Sequence, residues 1–595
     1  NMKYLYTIIL SLFAISSIYA VDMHVAARGK DSNEGTLDSP KATLHSALRQ
    51  ARELRRLYKV EKNEPVRILM HGGTYDLYEP VFIRPEDSGT ESSPTIIEAI
   101  NGTPVLNGGI DITEWRKEGK YWTASVPRFN GNRILFRQMW VNGTKAVRAR
   151  NVSDFEQMDR IRSNDKVNET LWIPASSVKG LTKAKDLELV IHQMWAIANL
   201  RVKSITIQGD SAGVKFHNPE ARIQFEHPWP QPMIKEGLNS AFYFTNALEL
   251  VDEEGEWYHD TDKNKVYYLP RKGEDMNQAK VTIPALETLV HIEGTIDRPV
   301  QHVYMKGIAF EHTTWTRPSQ MGHVPLQAGM YLIDAYKLRP PGVPGNFNKG
   351  IENQGWVGRP PAAVMIEFAQ NTKFEECKFQ HLGSCGIDFL SACQFDVVKG
   401  CLFRDIAGNA MQIGKMSDIG METHLPYDPT DRREICSLQT ISNNYMTDVT
   451  NEDWGCVAIC AGFVTDINIE HNEISEVSYT GISLGWGWTK TVNCMKNNRI
   501  HANYIHRYGK HMYDVAGIYT LSVQSKSFIT ENRVENIYKP SYVHDPEHWF
   551  YLYTDEGSSF ITVKDNWTPS EQRVDKQWSD GCRFDKAKSW FAGRI

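Results

Sequence analysis

The sequence predicts an all-β protein whose main body is a right-handed parallel β-helix carrying an inserted β-sandwich-like domain. Three observations predict it: an Asn-led tripeptide recurs in the C-terminal half, an apolar strand follows each copy, and helical periodicity is confined to one N-terminal segment. The copies are Asn444-Tyr445-Met446, Asn472-Glu473-Ile474, Asn503-Tyr504-Ile505 and Asn532-Arg533-Val534, with Asn spacings of 28, 31 and 29. Cys377-Lys378-Phe379 and Cys401-Leu402-Phe403, 24 apart, occupy the same slot. The strands that follow read GIDFL, AMQIG, CVAIC, GISLG, GIYTL and WFYLY. One such turn cannot bury its apolar face alone, whereas stacked turns bury a continuous core.

In chain order, residues 1–20 read as an export signal. A Lys follows the Met, an apolar run too short to span a bilayer comes next, and Ala20 offers a cleavage point. Residue 21 is Val rather than Cys, so a lipoprotein anchor is not indicated, and no later stretch is long and apolar enough for a membrane span. The expectation is an exported chain, periplasmic or secreted, with no membrane partner. Residues 21–113 read as a cap helix and the first coils. Ser39 and Pro40 suit a helix start, and Leu44, Ala47, Leu48, Ala51 and Leu54 recur at helical spacing. The runs VRILMHGGTY, PVFIRP and PTIIEAI then read as strands between turns. Residues 114–283 change texture: KYWTASV, LELVIHQMWAIANLRV, AFYFTN and KVYYLP read as antiparallel strands of an inserted all-β domain. Residues 284–595 form the main β-helix and its groove.

Composition narrows the function classes. The 595 residues carry 66 Lys+Arg against 72 Asp+Glu, a net charge of −6 with no basic block, so nucleic acid is not an expected partner. Aromatic residues reach 11%, with 16 Trp and 25 Tyr, which suits stacking against flat apolar faces such as sugar rings. The nine Cys all lie from Cys377 onward and lack metal-ligand spacing, so they read as interior stacking positions. No cofactor or metal motif is present, and a monomer is expected.

The loops lengthen most beside the last strands, in TNEDW, SYT, HRYGKHMYD and KPSYVHDPEHW. Loops of this kind carry function in rigid scaffolds. Asp453, Asp514 and Glu547 precede the strand of their own coil, and Asp555 follows the last clear one in YLYTDEG. Trp454, Trp486, Trp488 and Trp549 are candidate sugar-stacking walls; His511, Tyr519 and His548 are candidate substrate contacts, His544 with them. The ordinary role of an Asp in a turn is to satisfy backbone N–H groups, and Asp453 and Glu547 are assigned that role. Parallel strands lie about 4.8 Å apart, so carboxylates on adjacent coils fall near the separation of retaining glycosidases, and two coils apart near that of inverting ones. Aromatic surroundings raise a carboxyl pKa by desolvation, and Asp555 follows Trp549-Phe550-Tyr551-Leu552-Tyr553.

The opening GKDSNEGTLDSPKATLHSA, the GGTYDL and GTPVLNGG segments and the FRQMWVNGTKAVRAR block resemble secreted bacterial β-helix glycosidases of glycoside hydrolase family 141. The resemblance runs over nearly the whole chain; the N-terminal block is also similar to family 120 β-xylosidases. It implies an exo-acting α-L-fucosidase or a xylan-active enzyme, a plant polysaccharide or oligosaccharide substrate, and a catalytic pair at Asp514, in MYDVAGIYT, and Asp555, in YLYTDEGSS. Aligning SFIT at 527–530 with SFIT at 559–562 puts Asp514 before its strand and Asp555 after its own, so the two meet only if the 541–548 loop folds back. A polysaccharide lyase, with Arg507 or Lys510 as base, and a non-catalytic glycan binder are the competing readings.

Overall fold

The six apolar strands stack in register. In the computed structural model Ile387, Met411, Ile459, Ile482, Ile518 and Leu552 follow one another as parallel partners along one face of a parallel β-helix. Residues 20–575 are described apart from 229, 336, 339–351, 354–356, 417–426 and 489, together with the short strands at 583–584 and 588–589. The export-signal reading therefore lies, except for Ala20, outside the described residues.

Two further faces complete each coil. Ile469, Ile500, Ile529 and Val563 stack on one, and Ile474, Ile505 and Val534 on the other. All are buried, so each coil contributes an aliphatic layer to a continuous interior. Lower in the stack Phe310, Phe379 and Phe403 continue that interior, with ring centroids 4.8 and 4.6 Å apart.

The recurrent Asn occupies the corner between two faces. Asn444 Nδ2 donates to Asn472 Oδ1, Asn472 to Asn503 and Asn503 to Asn532, each at 2.9 Å, and Asn532 donates to Asn566 at 3.0 Å. The same Oδ1 atoms also accept the backbone N–H of the preceding rung. Cys401 holds this slot one coil earlier, its N–H donating to Asn444 Oδ1 at 2.9 Å. The eight described cysteines are buried and free, as interior stacking positions require.

The cap helix spans Leu44–Arg56 and covers the open end of the core with Leu44, Ala47, Leu48 and Ala51. Its N-cap is Thr43, whose hydroxyl accepts the Ser46 N–H at 3.1 Å. The sequence reading placed that cap at Ser39. Lys41 instead bridges Val25 in parallel and is held by the backbone of His24 and Ala26, so the chain stays extended until Thr43.

Between Gly109–Ile112 and Val281–Pro284, which pair antiparallel, the chain leaves the coil and returns. The intervening strands form mostly antiparallel sheets of seven, five and four strands. Glu188–Gln193, Ala196–Gln208 and Ser211–Phe216 are the centre of the largest. Among the described residues no helix is long and apolar enough to cross a membrane.

Candidate active site

The chain between residues 541 and 550 returns across the last coils and assembles the site. Strand Leu552–Thr554 lies parallel to Ile518–Thr520, with Tyr553 opposite Tyr519. Ahead of it a second pairing forms: Asp514 N–H donates to His548 O at 2.7 Å, Phe550 N–H donates to Val515 O at 2.8 Å, and Val515 bridges Trp549. Asp514 adopts φ +53°, a left-handed conformation that Asp tolerates better than most residues.

Four residues singled out from the sequence meet here. His548 Nε2 lies 2.9 Å from Asp514 Oδ1. The Tyr519 hydroxyl donates to Asp555 Oδ2 at 2.6 Å. The Tyr553 hydroxyl, 3.5 Å from His548 Nε2, joins the two halves. Asp555 N–H donates to Thr520 O at 3.0 Å, which ties the acid to the end of the neighbouring strand. Beneath, the Tyr479 hydroxyl donates to the Asp514 carbonyl at 2.9 Å.

The electrostatics divide the two aspartates. Burial, and then the charge of Asp514, push the Asp555 carboxyl up to about 7, against the opposing hydrogen bonds from Tyr519, the Glu556 backbone and Tyr553. Contact with Asp514 raises the His548 pKa against the opposing effect of burial. One carboxyl thus keeps its proton near neutrality beside a second carboxylate in contact with an imidazole. Such a pair suits acid-assisted cleavage of a glycosidic bond.

The GH141 insertion domain family matches residues 119–271. A solved structure described as a glycoside hydrolase is 59% identical, covers 95% of each chain and superposes with a TM-score of 0.91. This chain belongs to glycoside hydrolase family 141. Two solved structures are more distant: XylC in complex with xylose (12% identity, 92% of this chain and 68% of that one, TM-score 0.47) and the GH136 lacto-N-biosidase from Eubacterium ramulus (9%, 95% and 67%, 0.38). Among curated proteins none matches the chain.

In this family 141 hydrolase Trp488 packs half-buried against the cluster that holds Tyr519 and Tyr553; the other candidate tryptophans are engaged elsewhere. Trp486 is 1% exposed and packs against Trp488 with centroids 4.9 Å apart, so it is core rather than a sugar platform. Trp549 is also buried, held between Lys539 and Arg573, whose charges lie 4.4 and 4.2 Å from its ring. That cation–π stack leaves no open face for a sugar. Trp454 stacks on His511 at 4.2 Å, and His511 Nδ1 lies 2.6 Å from the Tyr542 hydroxyl. Both face the inserted sheets; the His511 carbonyl lies 2.9 Å from His192 Nε2 there. His544 packs on Tyr513, centroids 4.2 Å apart.

The remaining acids and bases are tied elsewhere. Glu547 pairs with Arg573 at 2.8 Å on the surface, and Asp453 Oδ2 lies 3.2 Å from His323 Nε2. Arg507 and Lys510, the bases of the lyase reading, both pair with Glu476, at 2.6 and 3.5 Å.

Sequence reasoning missed Glu556, Tyr553 and Tyr479. Burial, with the charges of Asp555 and Asp514, pushes Glu556 up to about 7, which makes it a third titrating group of the site. Its position in the DEG turn hid it, because such turns are ordinarily local caps. Tyr553 was legible: placing GIYTL over YLYTD sets it opposite Tyr519.

Proposed function

We propose that this enzyme is an exo-acting α-L-fucosidase that releases L-fucose from side chains of plant cell-wall pectin. The meeting of Asp555, held by Tyr519 and pushed up to about 7 by burial and by Asp514, with Asp514, held by His548, is the observation that carries the mechanism. Asp555 passes a proton to the glycosidic oxygen as its bond to the anomeric carbon breaks. Asp514 supplies negative charge at the anomeric carbon, and water completes the hydrolysis. Tyr519 and Tyr553 orient the acid, and His548 holds Asp514. The fucosidase members of family 141 support fucose as the released sugar. The leader-like residues 1–20 support action in the periplasm or outside the cell, and nothing in the proposed chemistry requires more than one copy of the chain.

Product analysis on fucosylated pectic oligosaccharides tests this. Free fucose from the wild type, with near-complete loss in folded Asp514→Ala and Asp555→Ala, supports sugar and pair together. Release of xylose or xylooligosaccharides refutes the sugar and leaves the pair standing. Unsaturated uronides refute hydrolysis, and full activity in either variant refutes the pair.

A further inference from the structure

A second enclosed space lies where the inserted sheets close on the β-helix. Its volume is about 310 Å³, at the small end of ligand pockets, which run from about 300 to 1,000 Å³. Neither catalytic aspartate lines it.

Its wall is cationic. Arg137, Lys145, Arg148 and Arg150 line it against the acids Glu452 and Asp453. Lys145 is neutralised, its Nζ 3.0 Å from Asp405 Oδ1 and 3.0 Å from Glu452 Oε1. Asp453 faces His323. Arg137 and Arg148 converge on a single carboxylate, with Nη1 of Arg137 3.0 Å from Glu188 Oε1 and Nη1 of Arg148 2.7 Å from Oε2. One acid between two guanidiniums leaves a positive charge over, which offsets the negative charge left where Asp405 and Glu452 both face Lys145, so Arg150 is the cation of the wall that remains to take an anion. Arg150 has no ion pair among the described residues; its guanidinium lies 4.5 Å from the Phe155 ring centroid.

The same wall carries polar atoms without partners. His323 is only 4% exposed, and neither its Nδ1 nor Asn199 Oδ1 has a hydrogen-bond partner. Buried polar groups are ordinarily satisfied, so two orphans beside an open volume mark groups awaiting a ligand. Trp315 adds aromatic surface.

We propose that this cavity is a second saccharide site that takes one acidic sugar residue, a uronate. Arg150 holds its carboxylate, Asn199 and His323 meet its hydroxyls, and Trp315 covers the ring. Inorganic anions would satisfy the cations but leave the aromatic wall and the amide unused. The site stands whichever sugar the catalytic pair releases.

Isothermal titration calorimetry on the full chain as Asp555→Asn, which blocks turnover, tests it with sodium galacturonate and galactose as probes. Galacturonate is expected to bind one per chain, and galactose, lacking the carboxylate, roughly tenfold more weakly or worse. Arg150→Gln should weaken galacturonate by about tenfold while Arg150→Lys retains part of the affinity. Adding Asp514→Asn should leave it within about twofold, since the sites are separate. Equal binding of both sugars, or no heat with millimolar galacturonate, overturns the proposal. So does affinity lost in Asp514→Asn but kept in Arg150→Gln, which puts the uronate at the catalytic pair. If Arg150→Gln does not fold, Asn199→Ala serves, and unchanged affinity there is equally fatal. The fucose-release assay is independent of all these outcomes.

Discussion

In the proposed mechanism Asp555 is the residue on which the chemistry turns, because ionising it sets a second negative charge beside Asp514 in a half-buried place. Its folded pKa of about 7 sets the alkaline limb of kcat/KM, so activity is expected to fall as pH rises through that value. Tyr519 opposes the shift by donating to the ionised form; Tyr519→Phe should move the limb to higher pH, read from a pH–rate profile. Replacing Asp555 with Asn should cost about 10²–10⁴-fold in kcat, least with activated aryl glycosides that need no proton. The same group affects stability. Its ordinary pKa is about 3.9, so between there and the folded value the native state holds a proton that the unfolded chain has released. Its stabilising contribution is complete in acid and is lost as pH rises through neutrality. Thermal melts should therefore show Asp555→Asn matching the wild type near pH 4 and exceeding it in mild alkali.

At the scale of one element, the Asn corner is the device that repeats. Asn472 accepts from the backbone and side chain of Asn444 and donates to Ile441 O and to Asn503 Oδ1. Asn472→Ala deletes all four bonds and leaves buried partners unpaired, at about 1–3 kcal/mol for each group that finds no replacement. The expected loss in urea unfolding is about 2–4 kcal/mol, and a value near zero would mean that water takes over the rung. The variation of spacing from 28 to 31 residues leaves the ladder in register, since the extra residues leave as loops between the strands. The site uses that freedom: the long return before Leu552 is what lets 548–550 pair with 514–515.

Across the whole molecule, charges bind the inserted sheets to the β-helix. Lys145 reaches from the insert to Asp405 and Glu452, Trp140 Nε1 donates to Asp405 Oδ2 at 2.8 Å, and Gln138 donates to Glu452 at 2.7 Å. Burial alone would raise the Asp405 pKa, but Lys145, His381 and Trp140 outweigh it and hold the carboxyl well below the usual range. Its contribution is thus present above about pH 4 and lost as pH falls below it. Lys145→Met strands buried carboxylates and is expected to cost about 3–5 kcal/mol. Differential scanning calorimetry at neutral pH checks this; an unchanged melting temperature would show that the seam contributes little.

The β-helix was legible because its cause is local and repeated: each coil writes an Asn, an apolar strand and a turn, and the core follows from stacking them. Asp514 and Asp555 were singled out through family resemblance, and the structure joins them through His548, Tyr553 and Tyr519. Trp549 was misread because composition cannot distinguish a ring facing solvent from one stacked with Lys539 and Arg573. The sequence by itself determined the parallel β-helix and, through resemblance, named two acids at its C-terminal end. Only the tertiary structure decided which acid keeps its proton, that Glu556 joins the pair, and that cations from the insert close over a second cavity. Those outcomes depend on burial and on distances between residues far apart in the chain, and no local pattern encodes either.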